Sequence, residues 1–232
     1  MALLAPSDGG GVTRALKVLP QSSMEASLGG DAVSPELASS VAHLVQEVFD
    51  QLISRGVRAL AICGVAEGDG VSLVAASLAT ALGGAGVSTL LIDGDLRPAA
   101  RRSAFASLAA SPVGLTDLLI NAGADPDATI QFNARPGLSV LLAGEPAADS
   151  ADALSGSRFA ALMEGWLREF EFVVIDTPPA NQMPDALRIA RLAGYALLVV
   201  RRDETFVSDL SLFIEELQEQ GVTILGSVLN QG

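Results

Sequence analysis

The chain has 232 residues, a formal net charge of −13, and half of its residues apolar but only 4% aromatic. That length can bury a full core without disulfides or a metal, and a single cysteine excludes an internal disulfide framework and fits a reducing compartment. The acidic balance excludes unaided binding to nucleic acid or to an anionic membrane surface. Residues 1–34 are rich in Gly, Ser, Pro and other small residues with no sustained period. They read as a flexible N-terminal arm, leaving 35–232 as one folded domain. A helix is predicted over about 35–54, where Leu37, Val41, Leu44, Val45, Val48, Phe49 and Leu52 recur at helical spacing. A short apolar run at 59–63 reads as a buried strand, followed by a helix over 72–82 and a strand over 89–92.

Residues 70–92 carry no charge and are long enough to suggest a membrane span. The cluster Gly83-Gly84-Ala85-Gly86 breaks that run, so a helix, a turn and a buried strand explain it better, and no direct membrane insertion is expected. The first six residues lack the basic region and the apolar length of a signal peptide. Segment 99–136 is less regular and reads as a helical excursion with loops. Further strands are expected at 138–142, 172–175, 196–200 and 223–229, and helices over 158–170, 184–192 and 208–220. Strands alternating with helices at these intervals imply an α/β fold, a doubly wound and mostly parallel sheet flanked by helices.

Chemistry concentrates where such a sheet places ligands, beyond the carboxyl ends of its strands. The stretch from Gly64 to Gly70 is a glycine-rich loop between a strand and the helix that Ser72 opens, a nest of backbone N–H groups at a positive helix end. The strand at 89–92 runs into Asp93-Gly94-Asp95, and the strand at 172–175 into Asp176-Thr177-Pro178-Pro179. Carboxylates beside a glycine loop suit a magnesium–nucleotide site, because magnesium takes oxygen ligands and keeps several waters. Asp185 and Asn230 are placed to reach the same edge. A phosphate-binding loop would end Gly-Lys-Ser/Thr, but Val71 stands at the lysine position. Alone, each aspartate could be a helix cap or a solvated loop acid; together with the loop and the proline pair they read as a site. Cys63 reads as a small core residue, Trp166 as packing its helix on the sheet, Tyr195 as a strand-edge residue and His43 as structural or surface.

In combination, Gly68-Asp69-Gly70-Val71-Ser72, Leu90-Leu91-Ile92-Asp93-Gly94-Asp95-Leu96-Arg97-Pro98 and Val173-Val174-Ile175-Asp176-Thr177-Pro178-Pro179 resemble the cytoplasmic domain of bacterial tyrosine kinases. These belong to the P-loop ATPases that include plasmid-partition and division-site proteins. The likeness spans roughly residues 35–230. It implies a P-loop NTPase-like fold, with Gly68, Asp69, Gly70, Val71 and Ser72 in the nucleotide loop and Asn230 as a base-pocket candidate. It also implies that Ser72, Asp93, Asp95 and Asp176 bind magnesium, and that Asp93 and Asp95 help activate an attacking tyrosine. ATP or ADP with Mg²⁺ is the implied cofactor. The implied partner is a membrane polysaccharide co-polymerase, a chain-length determinant protein that would hold a cytoplasmic chain at the inner membrane. Self-association would follow the family's ring-forming helix.

Departures from the family pattern weigh as much as the matches. Val71 replaces the lysine and Glu67 the proline usual before the glycines. Glu36 matches the glutamate of the ring-forming helix, but Ser39 and Ala42 stand where two arginines should follow. No tyrosine cluster follows Asn230 in these residues, and Tyr195 is the sole tyrosine. A charged hydrogen bond is worth about 1.5–3 kcal/mol, so losing the lysine costs roughly ten- to a hundredfold in nucleotide affinity. Phosphoryl transfer rests on positioning and charge stabilisation and should suffer more. The expected function is therefore a degenerate, kinase-like regulator of exopolysaccharide or capsule polymerisation and export, with nucleotide binding weak or lost. The alternative is an active kinase or ATPase in which Arg97 or a partner's arginine replaces the lysine. A partition-type ATPase is disfavoured, since Gly64-Val65-Ala66 lacks that class's second lysine.

Overall fold

The computed structural model describes residues 14–19, 35–97, 105, 108, 111–147, 154, 156–182 and 184–231. In chain order the elements are β1 (Arg14–Leu19), α1 (Pro35–Gln51), β2 (Ala59–Gly64), α2 (Val71–Gly84), β3 (Thr89–Asp93), α3 (Leu115–Ile120) and α4 (Pro126–Thr129). They continue with β4 (Gln131–Arg135), β5 (Leu138–Leu141), α5 (Ser157–Glu169), β6 (Phe172–Asp176), α6 (Asp185–Ala193), β7 (Tyr195–Arg201), α7 (Val207–Glu219) and β8 (Thr223–Asn230). The eight strands form one sheet in the order β1-β8-β7-β2-β6-β3-β5-β4. Every neighbouring pair is parallel except β4 with β5. This is the expected doubly wound α/β architecture.

The central strands are apolar without interruption because both of their faces are covered; every residue of β2, β3 and β6 is buried. Alternation along β2 divides its side chains between two cores. Leu60 and Ile62 pack with α1 and α2, whereas Ala59, Ala61 and Cys63 pack with α5, α6 and α7. Helix α2 lies against the sheet and under α1, buried nearly all round, which accounts for its membrane-like hydropathy. Among the described residues no helix is long and apolar enough to cross a membrane. Trp166 is buried in the second core, as its helical position implied.

Two strands escaped the sequence reading. β4 is a polar edge strand, and its half-exposed residues carry no apolar run to reveal it. It folds back on β5 through a turn containing Gly137 at φ +68°, and Phe132 stacks on Phe170 with ring centroids 6.2 Å apart. β1 lies within the stretch expected to be a free arm. It pairs with β8 from Arg14↔Gly226 to Leu19↔Asn230, and the rest of 1–34 lies outside the described residues. Six residues between glycine- and serine-rich stretches are too few for periodicity to register. The predicted first helix is also shorter, ending at Gln51 before a 3-10 turn over Ile53–Arg55.

Cys63 is fully buried, and burial pushes its thiol up to about 12 against a partial opposing effect from a Thr177 hydrogen bond. Thiolate is the reactive form, so the native protein should not react with a disulfide reagent at pH 8 on a timescale of minutes. Full reaction should appear on unfolding; rapid native labelling would contradict the packing of β2.

Candidate nucleotide site

β2 delivers the chain to the carboxyl edge of the sheet, where Gly64 is in register with Val199 of β7. The loop then turns back into α2 through Gly68 and Gly70, at φ +88° and +95°, a region open to glycine at little cost. At Gly70 a side chain is excluded twice over, because a Cβ there would lie 2.5 Å from Asn230 Nδ2. Helix α2 begins at Val71, so its first-turn N–H groups face the loop at the positive end of the helix dipole.

The loop is held from below by its own chain. Asp69, expected among the ligand-facing positions, has its side chain turned inward and 1% of its surface exposed. Its Oδ2 accepts from the Val65 and Ala66 N–H groups at 2.9 and 2.8 Å, and its Oδ1 from the Thr205 hydroxyl at 2.8 Å. The Thr205 hydroxyl in turn accepts from the Arg201 N–H. Arg201 donates to the Gly68 carbonyl at 3.2 Å and pairs with Glu204. Asn230, expected at a base pocket, is instead buried beneath the loop, where its amide donates to the Asp69 carbonyl at 3.0 Å. From the other side, the Ala180 and Asn181 N–H groups donate to the Gly64 and Val65 carbonyls, both at 3.0 Å.

Val71 is 8% exposed and belongs to the apolar core shared by α1 and α2. Its Cγ2 lies over Gly64, where a Cβ would come within 2.5 Å of it. The side chain thus runs across the base of the loop and ends as hydrocarbon, with no charge to meet a phosphate. Glu67 is exposed on the loop.

The acidic edge assembles as the motifs imply. Parallel register sets Asp93 beside Asp176, and both are buried, with Asp95 nearly so. Ser72 Oγ donates to Asp176 Oδ2 at 2.6 Å, while Asp176 Oδ1 is buried with no hydrogen-bond partner. Burial first, then the Asp93 charge and more distantly Asp95, push the Asp176 carboxyl well above the usual carboxylate range, against relief from Ser72 and the Thr177 N–H. Asp93 Oδ1 accepts from the Asp95 N–H at 3.2 Å. Asp95 itself is turned to Arg97, whose guanidinium grips both of its oxygens.

An orphaned, buried carboxylate oxygen beside a hydroxyl and a second carboxylate is a hard oxygen-donor set, and these residues fit magnesium. Among the described residues no group of three or more His, Cys, Asp or Glu is gathered to hold a metal on its own. The expected four-residue set therefore reduces here to Ser72, Asp176 and the adjacent Asp93, with Asp95 engaged elsewhere. A bound magnesium would supply positive charge to a nucleotide's phosphates and to these acids. The sign of the Asp176 shift has a consequence for stability. A carboxyl whose folded pKa is raised binds its proton more tightly when folded, so the protein loses stability as pH rises from the unfolded value of about 4 through the raised folded value. Asp176→Asn should raise Tm at pH 7 and remove that part of the pH dependence; an unchanged or lower Tm at both pH 7 and pH 5 would contradict it.

Other expected residues fall in place around the site. Asp185 is buried at the start of α6 and paired with Arg188 at 2.9 Å. His43 is exposed on α1, and Tyr195 is half-buried at the start of β7. Arg97, which the sequence offers as a substitute cation, lies in the site. Sequence reasoning missed Thr205 and Gln182, which sit in loops with no motif, and the hold of Arg201 on the glycine loop.

Comparison with known proteins agrees with this geometry. No family model matches the chain. It is 33% identical over 171 residues to the tyrosine-protein kinase ptk of Acinetobacter johnsonii, matching 74% of this chain but spanning only about a quarter, 23%, of that relative. It is 31% identical over 172 residues to the tyrosine-protein kinase CpsD of Streptococcus agalactiae, covering 74% of this chain and 73% of that one. Among solved structures, the chimerical protein CapA2B2 superposes with a TM-score of 0.83 at 26% identity, over 95% of each chain. Sheet order, glycine loop, paired acidic strand ends and these relatives lead to one assignment: the chain belongs to the bacterial tyrosine kinase family.

Proposed function

We propose that this chain is a degenerate, kinase-like regulator of bacterial exopolysaccharide or capsule assembly, which acts by binding a membrane co-polymerase rather than by phosphoryl transfer. The observation that carries this reading is Val71, packed over Gly64 where a cationic side chain would reach the phosphates. A second supports it: Asp69, Asn230 and Arg201 tie the loop to the body of the protein through its own side chains. Nucleotide would then be a weak structural ligand or absent. The partner would hold the chain at the inner face of the membrane, as the family resemblance implies. The test is co-purification with such a membrane protein from cells expressing the wild type or an Asp93→Ala/Asp176→Ala variant. Retention of the complex by the double variant is expected; loss of the complex, or a requirement for ATP turnover, would sink the proposal.

A second reading has its own observation. Arg97 and Arg201 both border the acidic edge and the loop, so either could supply the missing positive charge to a bound triphosphate. An active kinase would transfer labelled phosphate to a partner's tyrosines and lose that activity in Asp95→Ala.

A further inference from the structure

Asp95 stands two residues beyond the end of β3 with both carboxylate oxygens engaged. Arg97 Nε donates to Oδ1 at 2.7 Å and Nη2 to Oδ2 at 2.6 Å, and the Arg97 N–H adds a third bond to Oδ1 at 3.2 Å. The remaining arm, Nη1, donates to Gln182 Oε1 at 2.6 Å. The pair is sheltered, with side chains 16% and 12% exposed, and a sheltered bidentate fork holds more firmly than an open surface bridge. Its surroundings strengthen it. The Asp95 hydrogen bond holds the Arg97 proton more tightly; burial opposes this, and the charges of Asp95, Glu67 and Asp176 add smaller contributions in the same direction as the bond. Arg97 therefore brings positive charge to an edge where Asp93 and Asp176 crowd two more carboxylates together.

We propose that Arg97 is an internal counter-cation that competes with a divalent metal for Asp95, so that the metal affinity of the site is set by whether the Asp95–Arg97–Gln182 bridge is closed. This rests on the reading of the acidic edge as a metal–nucleotide site. With the bridge closed, a metal can use Ser72, Asp176 and Asp93. Asp95 can turn inward only after two charge-assisted bonds break. Gln182 links this choice to the glycine loop, because it follows Ala180 and Asn181, whose N–H groups hold the Gly64 and Val65 carbonyls. Arg97 is thus a positioning residue.

The experiment titrates Mn²⁺ alone into the full chain and follows free Mn²⁺ by electron paramagnetic resonance. The proteins are the wild type, Arg97→Gln, Asp95→Asn, the Arg97→Gln/Asp95→Asn double variant and Asp176→Asn. Arg97→Gln is expected to tighten Mn²⁺ about tenfold, a gain absent in the double variant, because it comes from the freed carboxylate and not from lost positive charge in general. Arg97→Lys keeps the charge without the fork, should fall between the two, and serves if Arg97→Gln does not fold. Unchanged or weaker binding by Arg97→Gln, or a gain that persists in the double variant, overturns the inference while leaving an Asp176-dependent site intact. Absence of any Asp176-dependent binding in every protein overturns the inference and the metal-site reading together.

Discussion

Calorimetric titration of Mg-ATP should give little or no heat with the wild-type protein and clear binding with Val71→Lys. The gain should be roughly ten- to a hundredfold in affinity, the worth of one charged hydrogen bond of about 1.5–3 kcal/mol. The substitution is unusually direct here. Val71 crosses the loop above Gly64, which has no Cβ to obstruct a longer stem, so a lysine can follow the same path and continue toward the ligand. The new ammonium would face an edge already rich in buried carboxylates, where added positive charge offsets repulsion between Asp93 and Asp176. Losing the packed valine methyls costs about 1 kcal/mol of core burial, small beside the electrostatic gain. Asp176→Ala added to Val71→Lys should remove the restored binding. If Val71→Lys bound no better than wild type, the loss would lie in the loop backbone itself, and the description of an intact fold with one missing charge would fail.

The second large effect concerns stability. Asp69→Ala should lower stability by roughly 3–5 kcal/mol, since it leaves two loop N–H groups and a threonine hydroxyl without their acceptor in a buried setting. For a chain of this size that corresponds to a fall in Tm of about 6–20 °C. Asp69→Asn should cost less, because an amide oxygen can still accept from Val65 and Ala66. Thr205→Ala, which removes one of the three donors, should cost less again. Thermal unfolding of the three variants at pH 7 gives the ranking. An Asp69→Ala protein within 1 kcal/mol of wild type would mean that the loop does not depend on the buried carboxylate.

The parts of the molecule that follow from local pattern were legible before the structure. Uninterrupted apolar runs such as 59–63 and 172–175 marked the buried strands, and Asp93 and Asp176 at their ends marked the edge where chemistry gathers. What local pattern does not encode is direction. Asp69 sits in a ligand-binding loop by position, yet its side chain points into the protein because Val65, Ala66 and Thr205 offer it donors there. Asn230, expected just after the final strand, is its last residue, and the turn at Gly70 brings the loop onto its amide. Asp95 is a metal ligand by motif, yet the Arg97 fork occupies both of its oxygens, and Gln182 holds the fork's remaining arm. The edge strands β1 and β4 were invisible for a related reason. Each is paired on one side only among the described residues, β1 is six residues long and β4 is largely polar, so their stability comes from β8 and β5 rather than from themselves.

The position of β1 changes how the protein should be trimmed. A chain cut at residue 35, where helical periodicity begins, would strip the cover from β8 and leave Thr223–Asn230 as a naked parallel margin with Ile224, Leu225, Val228 and Leu229 along it. Unpaired margins of that kind recruit strands from other molecules. A shortened protein that clumps would then report a missing neighbour, not a faulty core, and keeping the chain from before Arg14 would restore a monodisperse sample.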